Sequence, residues 1–425
     1  MDFQHETTKM AAYQVFTIVF LALFAIHFLF ERVLSVLNTR HVLANRNHVP
    51  AALSGVVSPE TYARSIDYTL AKARFGHVAA VWSAAIVMIY LFGDLLSGFA
   101  AFTGFLNFEE VGYGVALIVA FTVSNSLMHL PLEVYSTFFL EKRFGFNKTT
   151  LGTFIIDKIK GVLLLVVLGI PFLYALMYFV TQSGELWWLW AALFVIGFQF
   201  LMMILFPLVI APLFNKFTPL QEGELKTKLD ELARRCDFAT RGIFVVDGSK
   251  RSTHSNAYFT GIGKARRIVL FDTLIQQLSV AELTAVLAHE IGHYKKKHII
   301  KFLAISVAFT FAGFYILNLV IDWDPMYQAF SLGVPSRAKG LIVISLIAGS
   351  FTFWMEPLMN RLSRKHEYEA DAYAVEQTGS AEPMQGALLK LHEKNLSNLT
   401  PHPLFSAYHY SHPTLVERLK ALSSN

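Results

Sequence analysis

Five consecutive residues, His289-Glu290-Ile291-Gly292-His293, carry the clearest chemistry in this 425-residue chain. On a helix, positions i and i+4 share a face, so both imidazoles can reach a single metal ion. Glu290 sits beside them, where a carboxylate can take a proton from water that the metal activates. Two imidazoles need a further ligand. The one cysteine, Cys236, reads as a structural thiol and excludes both an intrachain disulfide and a thiolate zinc cage. The third ligand must then offer oxygen or nitrogen.

Such a ligand lies in Arg361 to Ala374, RLSRKHEYEADAYA, a stretch of helical character with Glu367 and Asp371 at i and i+4. One of these carboxylates can complete the metal shell. The other can accept a hydrogen bond from a liganding imidazole and fix its orientation. Glu369 points about 200° around the helix from Glu367 and is not expected to share that task. Two histidines, one carboxylate and an open position make a catalytic rather than a structural zinc site. With that shell filled, His254, His298, His402 and His409 read as non-ligands.

The elements that must position these residues begin with residues 213–300, which hold much of the charge. Glu222 to Arg235 reads as an amphipathic helix with Leu225, Leu229 and Leu232 on one side, and Gly242 to Gly248 as a short buried strand. Asn256 to Thr260 and Arg267 to Phe271 read as a hairpin turning across Gly261 and Gly263. Ser279 and Glu282 form a capping box that opens the HEIGH helix. A sheet edge beside the metal could hold an extended peptide by strand addition.

The rest is mostly membrane. The chain is 54% hydrophobic and only 16% charged, against about a quarter charged in soluble domains. Seven apolar stretches can span a bilayer, at about residues 11–37, 76–99, 111–131, 161–181, 187–212, 301–321 and 340–359. The first, too long for a signal-peptide core, reads as a retained anchor. Arg40, Arg46, Arg64, Lys72 and Arg74 follow span 1, and Lys142, Arg143, Lys148, Lys158 and Lys160 follow span 3. The segment from Asp94 to Glu110 has acids but no Lys or Arg. The positive-inside rule then puts the N-terminus outside, and puts residues 213–300 and the C-terminal tail in the cytoplasm. Lys295, Lys296 and Lys297 read as the cytoplasmic flank of span 6, which sets the metal near the inner surface. Basic loop ends facing anionic lipid account for the net charge of +5, with no nucleic-acid partner. Asn125, His129 and Glu133 on span 3 suit either an interhelical contact or a water-lined face.

HEIGH followed by EYEAD resembles the HExxH and ExxxD pairing of the integral-membrane zinc endopeptidases typified by the type I CAAX prenyl protease. The likeness extends to EKRFGFNKTT (Glu141 to Thr150), SNAYFTGIGKARRIVLFDTLI (Ser255 to Ile275) and YSHPTLVERLKAL (Tyr410 to Leu422), in the family's order. It implies a mainly α, polytopic membrane protein whose seven helices enclose a chamber. A zinc-peptidase domain of small β-sheet and helices would lie on the cytoplasmic side. Residues 1–212 would hold spans 1–5, 213–300 the HExxH segment, 301–360 spans 6 and 7, and 361–425 the third-ligand segment. The resemblance also implies one Zn²⁺ per chain on His289, His293 and Glu367, with Glu290 as general base and Asp371 as partner of a ligand. Asn256 would meet the substrate backbone, and His412 and Arg418 the scissile carbonyl.

The activity so implied is removal of the last three residues from a C-a-a-X peptide or protein prenylated on its cysteine. One alternative is quality control of membrane proteins without prenyl specificity. Another, of a different class, is a seven-span receptor or transporter with a fortuitous HExxH. A site-2-type protease would carry HExxH within a span, whereas here a charged segment precedes it. The last residues, Ala421 to Asn425, show no KDEL-type signal, which leans towards a bacterial inner membrane over the endoplasmic reticulum.

Overall fold

A computed structural model of the chain describes residues 3–260 and 266–424. Among the described residues, seven helices are long and apolar enough to cross a membrane: Ala12–Ala44, Pro59–Phe92, Glu110–Glu141, Leu151–Gln182, Gly184–Phe214, His298–Val320 and Arg337–Thr378. All but the sixth run to 31 residues or more, beyond the roughly 20 that hydrocarbon requires. Hydropathy marks only their apolar part. Arg64, Lys72 and Arg74 therefore stand on the second helix, and Lys158 and Lys160 on the fourth, rather than in loops. Span 2 also ends earlier than its apolar stretch, at Phe92. Asp94 adopts a left-handed conformation (φ 57°) and a separate apolar helix, Leu95–Gly104, supplies the remaining hydropathy.

Prolines shape three of these rods. A proline lacks an amide hydrogen and crowds the carbonyl four residues back. Pro171 and Pro212 each follow a π-helical turn, Leu165–Gly169 and Phe206–Ile210, whose extra residue makes room. Pro357 follows a tightened 3₁₀ turn, Phe353–Met355, after which the seventh helix continues as Glu356–Thr378 across the boundary expected at residue 360. Polar groups on span 3 join helices: His129 Nε2 lies 3.3 Å from Ser83 Oγ, and Glu133 pairs with Lys158 at 2.5 Å. Asn125 offers its carbonyl to His129 Nδ1 at 2.9 Å.

The segment between spans 5 and 6 forms a four-stranded sheet in the order β1-β2-β4-β3. The strands are β1 (Phe217–Pro219), β2 (Ile243–Val246), β3 (Ala257–Thr260) and β4 (Arg267–Phe271). β3 and β4 pair antiparallel, as a hairpin must, while the turn at Gly261 and Gly263 lies outside the described residues. β2 runs parallel to β4, and β1 was not apparent in the sequence because it is only three residues long. The expected amphipathic helix spans Glu224–Arg235, with Leu229 and Leu232 buried against Ile243, Ile268, Leu287 and Ile291. Cys236 is buried in that same core.

This segment is fastened to the spans through residues 141–149. Lys148 N donates to Arg251 O, Thr253 N donates to Phe146 O, and the Phe146 ring stacks on His254 at 4.2 Å. Arg251 forks onto both Asp157 oxygens, at 2.8 and 2.9 Å. A further core of Val42, Tyr62, Ile66, Ala285, Leu388 and Leu415 joins the ends of spans 1 and 2 to the HEIGH helix and the C-terminal helices.

Candidate metal centre

The HEIGH helix, Val280–Lys295, opens on the capping box formed by Ser279 and Glu282. Lys390 Nζ, 2.7 Å from Glu282, adds a tie to the helix Glu382–Lys394. HEIGH lies against the Glu367 helix at close range, and Gly292 makes that possible. A Cβ at Gly292 would stand 3.1 Å from Ala370 Cα and 3.2 Å from Tyr373 Cβ, tighter than packed atoms normally sit. Two helices that approach this closely bring their functional faces into one pocket.

His289, His293 and Glu367 each offer a ligand atom within 4.8 Å of the others. His289 Nε2 and His293 Nε2 are 3.1 Å apart, and Glu367 oxygens lie 3.5 and 3.3 Å from them. The outer nitrogens fix the tautomers. His289 Nδ1 sits 2.8 Å from Asp371 Oδ1, which can only accept, so Nδ1 carries the proton. His293 Nδ1 is 3.0 Å from His298 Nδ1, and His298 Nε2 is 2.9 Å from Glu369 Oε2. Proton donation running from His293 to His298 to Glu369 satisfies all three groups. Both inward Nε2 atoms are then lone pairs facing each other, and Glu367 Oε2 is buried with no hydrogen-bond partner. Three converging electron pairs with no proton between them are a donor set for a cation.

His298, read from the sequence only as a non-ligand, and Glu369, not expected to share the task of Glu367 and Asp371, thus stand behind His293. The signal that hides them is Lys297, a non-glycine residue in the left-handed region (φ 58°). It breaks the helix after HEIGH and turns His298 back onto His293. His366, one residue before Glu367, stacks on the His298 ring at 3.9 Å. His254 and His402 lie outside the cluster, on Glu141 and on the Leu404 amide. His409 bridges Glu31 and Glu356 at 3.3 and 3.2 Å, linking span 1 to the Glu367 helix.

Glu290 makes no hydrogen bond or ion pair among the described residues. Burial pushes its carboxyl above the ordinary range. His412 Nε2 lies 3.3 Å from Glu367 Oε1. Its side chain is 62% exposed, yet it stands in the throat between two cavities of about 770 and 670 Å³, which both include it in their walls. Desolvation lowers its pKa, and the pull of Glu367 opposes that shift. Arg418 is buried and spends Nε and Nη2 on Asp371, at 2.8 and 2.5 Å. Its Nη2 also comes within 3.5 Å of His289 Nδ1 and its Nη1 within 3.6 Å of Glu367 Oε2, so it backs the site rather than standing free. Asn256 is exposed and immediately precedes β3, the sheet's edge strand, where its Oδ1 accepts from the Ala257 amide. Phe259 of that strand packs towards Tyr294, the neighbour of His293.

Residues 38–216 match the CAAX prenyl protease N-terminal family, described as five membrane helices, and residues 219–425 match peptidase family M48. The chain is 39% identical over 386 residues to a CAAX prenyl protease 1 homolog of Arabidopsis thaliana, covering 88% of this chain and 90% of that protein. It is 38% identical over 403 residues to the CAAX prenyl protease 1 of Saccharomyces cerevisiae, covering 88% of each. A crystal structure of S. mikatae Ste24p has the same fold, with a TM-score of 0.88 and 36% identity over 96% of this chain and 98% of that one. These relatives are eukaryotic and lend no support to a bacterial inner membrane. The receptor or transporter alternative is set aside. By fold, by sequence and by its pairing of HExxH with a carboxylate helix, the chain belongs to the CAAX prenyl protease 1 family of M48 peptidases, the multi-pass membrane metalloendopeptidases.

Proposed function

We propose that this protein is zinc-dependent and removes the C-terminal tripeptide from prenylated C-a-a-X proteins at the cytoplasmic face of its membrane. The convergence of two unprotonated imidazole nitrogens and an unpartnered carboxylate oxygen carries the metal assignment. The substrate class is supported by relatives that all bear the name CAAX prenyl protease 1. The basic residues bordering spans 1 and 3 support the cytoplasmic orientation. The two cavities that meet at His412 would be the parts of an enclosed chamber nearest the site.

His289, His293 and Glu367 would hold one zinc ion. When bound, zinc supplies a Lewis acid that acidifies water and polarises a peptide carbonyl. Glu290 takes the proton of the attacking water and hands it to the leaving amine, a transfer helped by its raised pKa. Asp371 holds the His289 ring through Nδ1, and Arg418 holds Asp371. His412 donates to the carbonyl oxygen as negative charge gathers there, with Arg418 as fixed positive charge behind it. The peptide lies extended against β3, where Asn256 Nδ2 is free to donate to its backbone.

The test is cleavage of a farnesylated C-a-a-X peptide by detergent-purified protein. Glu290→Gln should retain one zinc per chain and lose about a thousandfold or more in kcat. A chelator should abolish cleavage and zinc should restore it. Protein holding one zinc that leaves the peptide intact would remove the prenyl substrate and favour the quality-control role. Protein that binds no zinc would sink the metal centre.

A further inference from the structure

We infer that the cavity of about 670 Å³ beyond His412 is a subsite for the free C-terminal carboxylate of the substrate, with Arg364 as its cation. The inference rests on the peptidase reading above and gives it a ruler. An enzyme that releases three residues can fix its cut from the chain end as well as from the modified cysteine, and the one group found only at that end is the carboxylate.

The walls of this cavity include His41, His48, Arg364, Thr400, His412 and Glu417. One carboxylate, that of Glu417, shares these walls with the basic groups. The Glu417 carboxylate accepts from both the amide and the hydroxyl of Thr414, at 2.8 Å each, closing the capping box of the helix Leu415–Ser423. Arg364 is half-buried. Its Nη1 donates to Tyr410 O at 2.6 Å, and among the described residues no carboxylate lies within ion-pair distance of it. A half-buried guanidinium without a counter-charge is costly to keep, and its planar fork matches a carboxylate in a bidentate pair.

The geometry fits the length of the product. Arg364 stands three residues before Glu367, hence on nearly the same helix face and about 4.5 Å along the axis. An extended tripeptide reaches about 10 Å, the scale spanned by one helical turn plus an arginine side chain. The other cavity, of about 770 Å³, is lined by His254, Tyr68 and Gly76 and shares His412, and the upstream part of the chain would lie there. His412 marks the boundary between the two.

The experiment uses full-length, zinc-loaded protein in detergent and two farnesylated peptides that differ only in ending as a free acid or a primary amide. The wild type should favour the acid by about tenfold or more in kcat/KM. Arg364→Gln should bring the acid-to-amide ratio close to one, and Arg364→Lys should restore part of it. Equal rates on the two peptides with the wild type would overturn the proposal without any variant. So would an Arg364→Gln protein that keeps the full ratio while losing rate on both peptides, the result expected if Arg364 serves only a lipid headgroup or the Tyr410 turn. Failure of the wild type to cut either peptide is a different result and strikes the peptidase reading itself.

Discussion

At the scale of single residues, each inward-facing imidazole nitrogen depends on what its other nitrogen touches. Asp371 holds His289, and His298 with Glu369 behind it holds His293. Removing such a partner typically costs ten- to a hundredfold in metal affinity, because the ring loses both its tautomer and its orientation. Asp371→Ala and His298→Ala should therefore each weaken zinc by about that factor, measured by competition with a chelator of known affinity, while Glu290→Gln should not. Equal affinity in His298→Ala and the wild type would show that the His293–His298 contact is incidental. The spacing of HEIGH and EYEAD made the inner groups legible, since i and i+4 on a helix share a face whatever the fold. His298 and Glu369 were not legible. Their meeting depends on a left-handed lysine and on the docking of two helices, neither of which has a periodic signature.

At the scale of elements, the site is a contact between two helices, and Gly292 sets their separation. Gly292→Ala keeps every polar group yet drives a methyl to 3.1 Å from the Ala370 backbone, which cannot swing aside as a side chain can. Overpacking of this kind costs about 1–3 kcal/mol. The variant should show a lower midpoint of thermal unfolding and weaker zinc binding together, whereas alanine at a lipid-facing glycine should change neither. Gly161, with nothing within 4 Å of a Cβ, is a suitable control. The sequence displayed the spans by apolar run and the HEIGH helix by its capping box, because both signals are local. It did not display how far the helices continue beyond hydrocarbon, because charged residues on a helical extension read like loop residues.

At the scale of the whole molecule, polar ties hold the peptidase segment to the spans beside the shared apolar core. Arg251→Met removes the fork onto Asp157, charge-assisted hydrogen bonds of a kind worth about 1.5–3 kcal/mol each. It should open the segment to limited proteolysis near residues 251–256. His254 adds a tie that titrates. Its pKa is raised, chiefly by its hydrogen bond to Glu141, with Asn395 assisting and burial and Lys72 opposing. A raised folded pKa means that its contribution is complete below the ordinary value of 6.5 and fades as pH rises through the folded value. Unfolding midpoints should fall with rising pH in that window, and His254→Gln should flatten the fall. One feature of the frame reaches further. The third ligand rides on a 42-residue helix that begins as span 7, and the helix carrying HEIGH ends at Lys295, with two residues between it and span 6. One half of the metal pocket is therefore carried on the extension of a lipid-embedded rod, and the other is joined to such a rod through the break at Lys297. A change in the thickness of the surrounding bilayer tilts those rods, at a cost of fractions of a kcal/mol per ångström of mismatch. It thereby moves Glu367 relative to His289 and His293. In vesicles of graded acyl-chain length, turnover should peak at one thickness and decline on either side, making the lipid itself a determinant of how well the pocket closes on its ion.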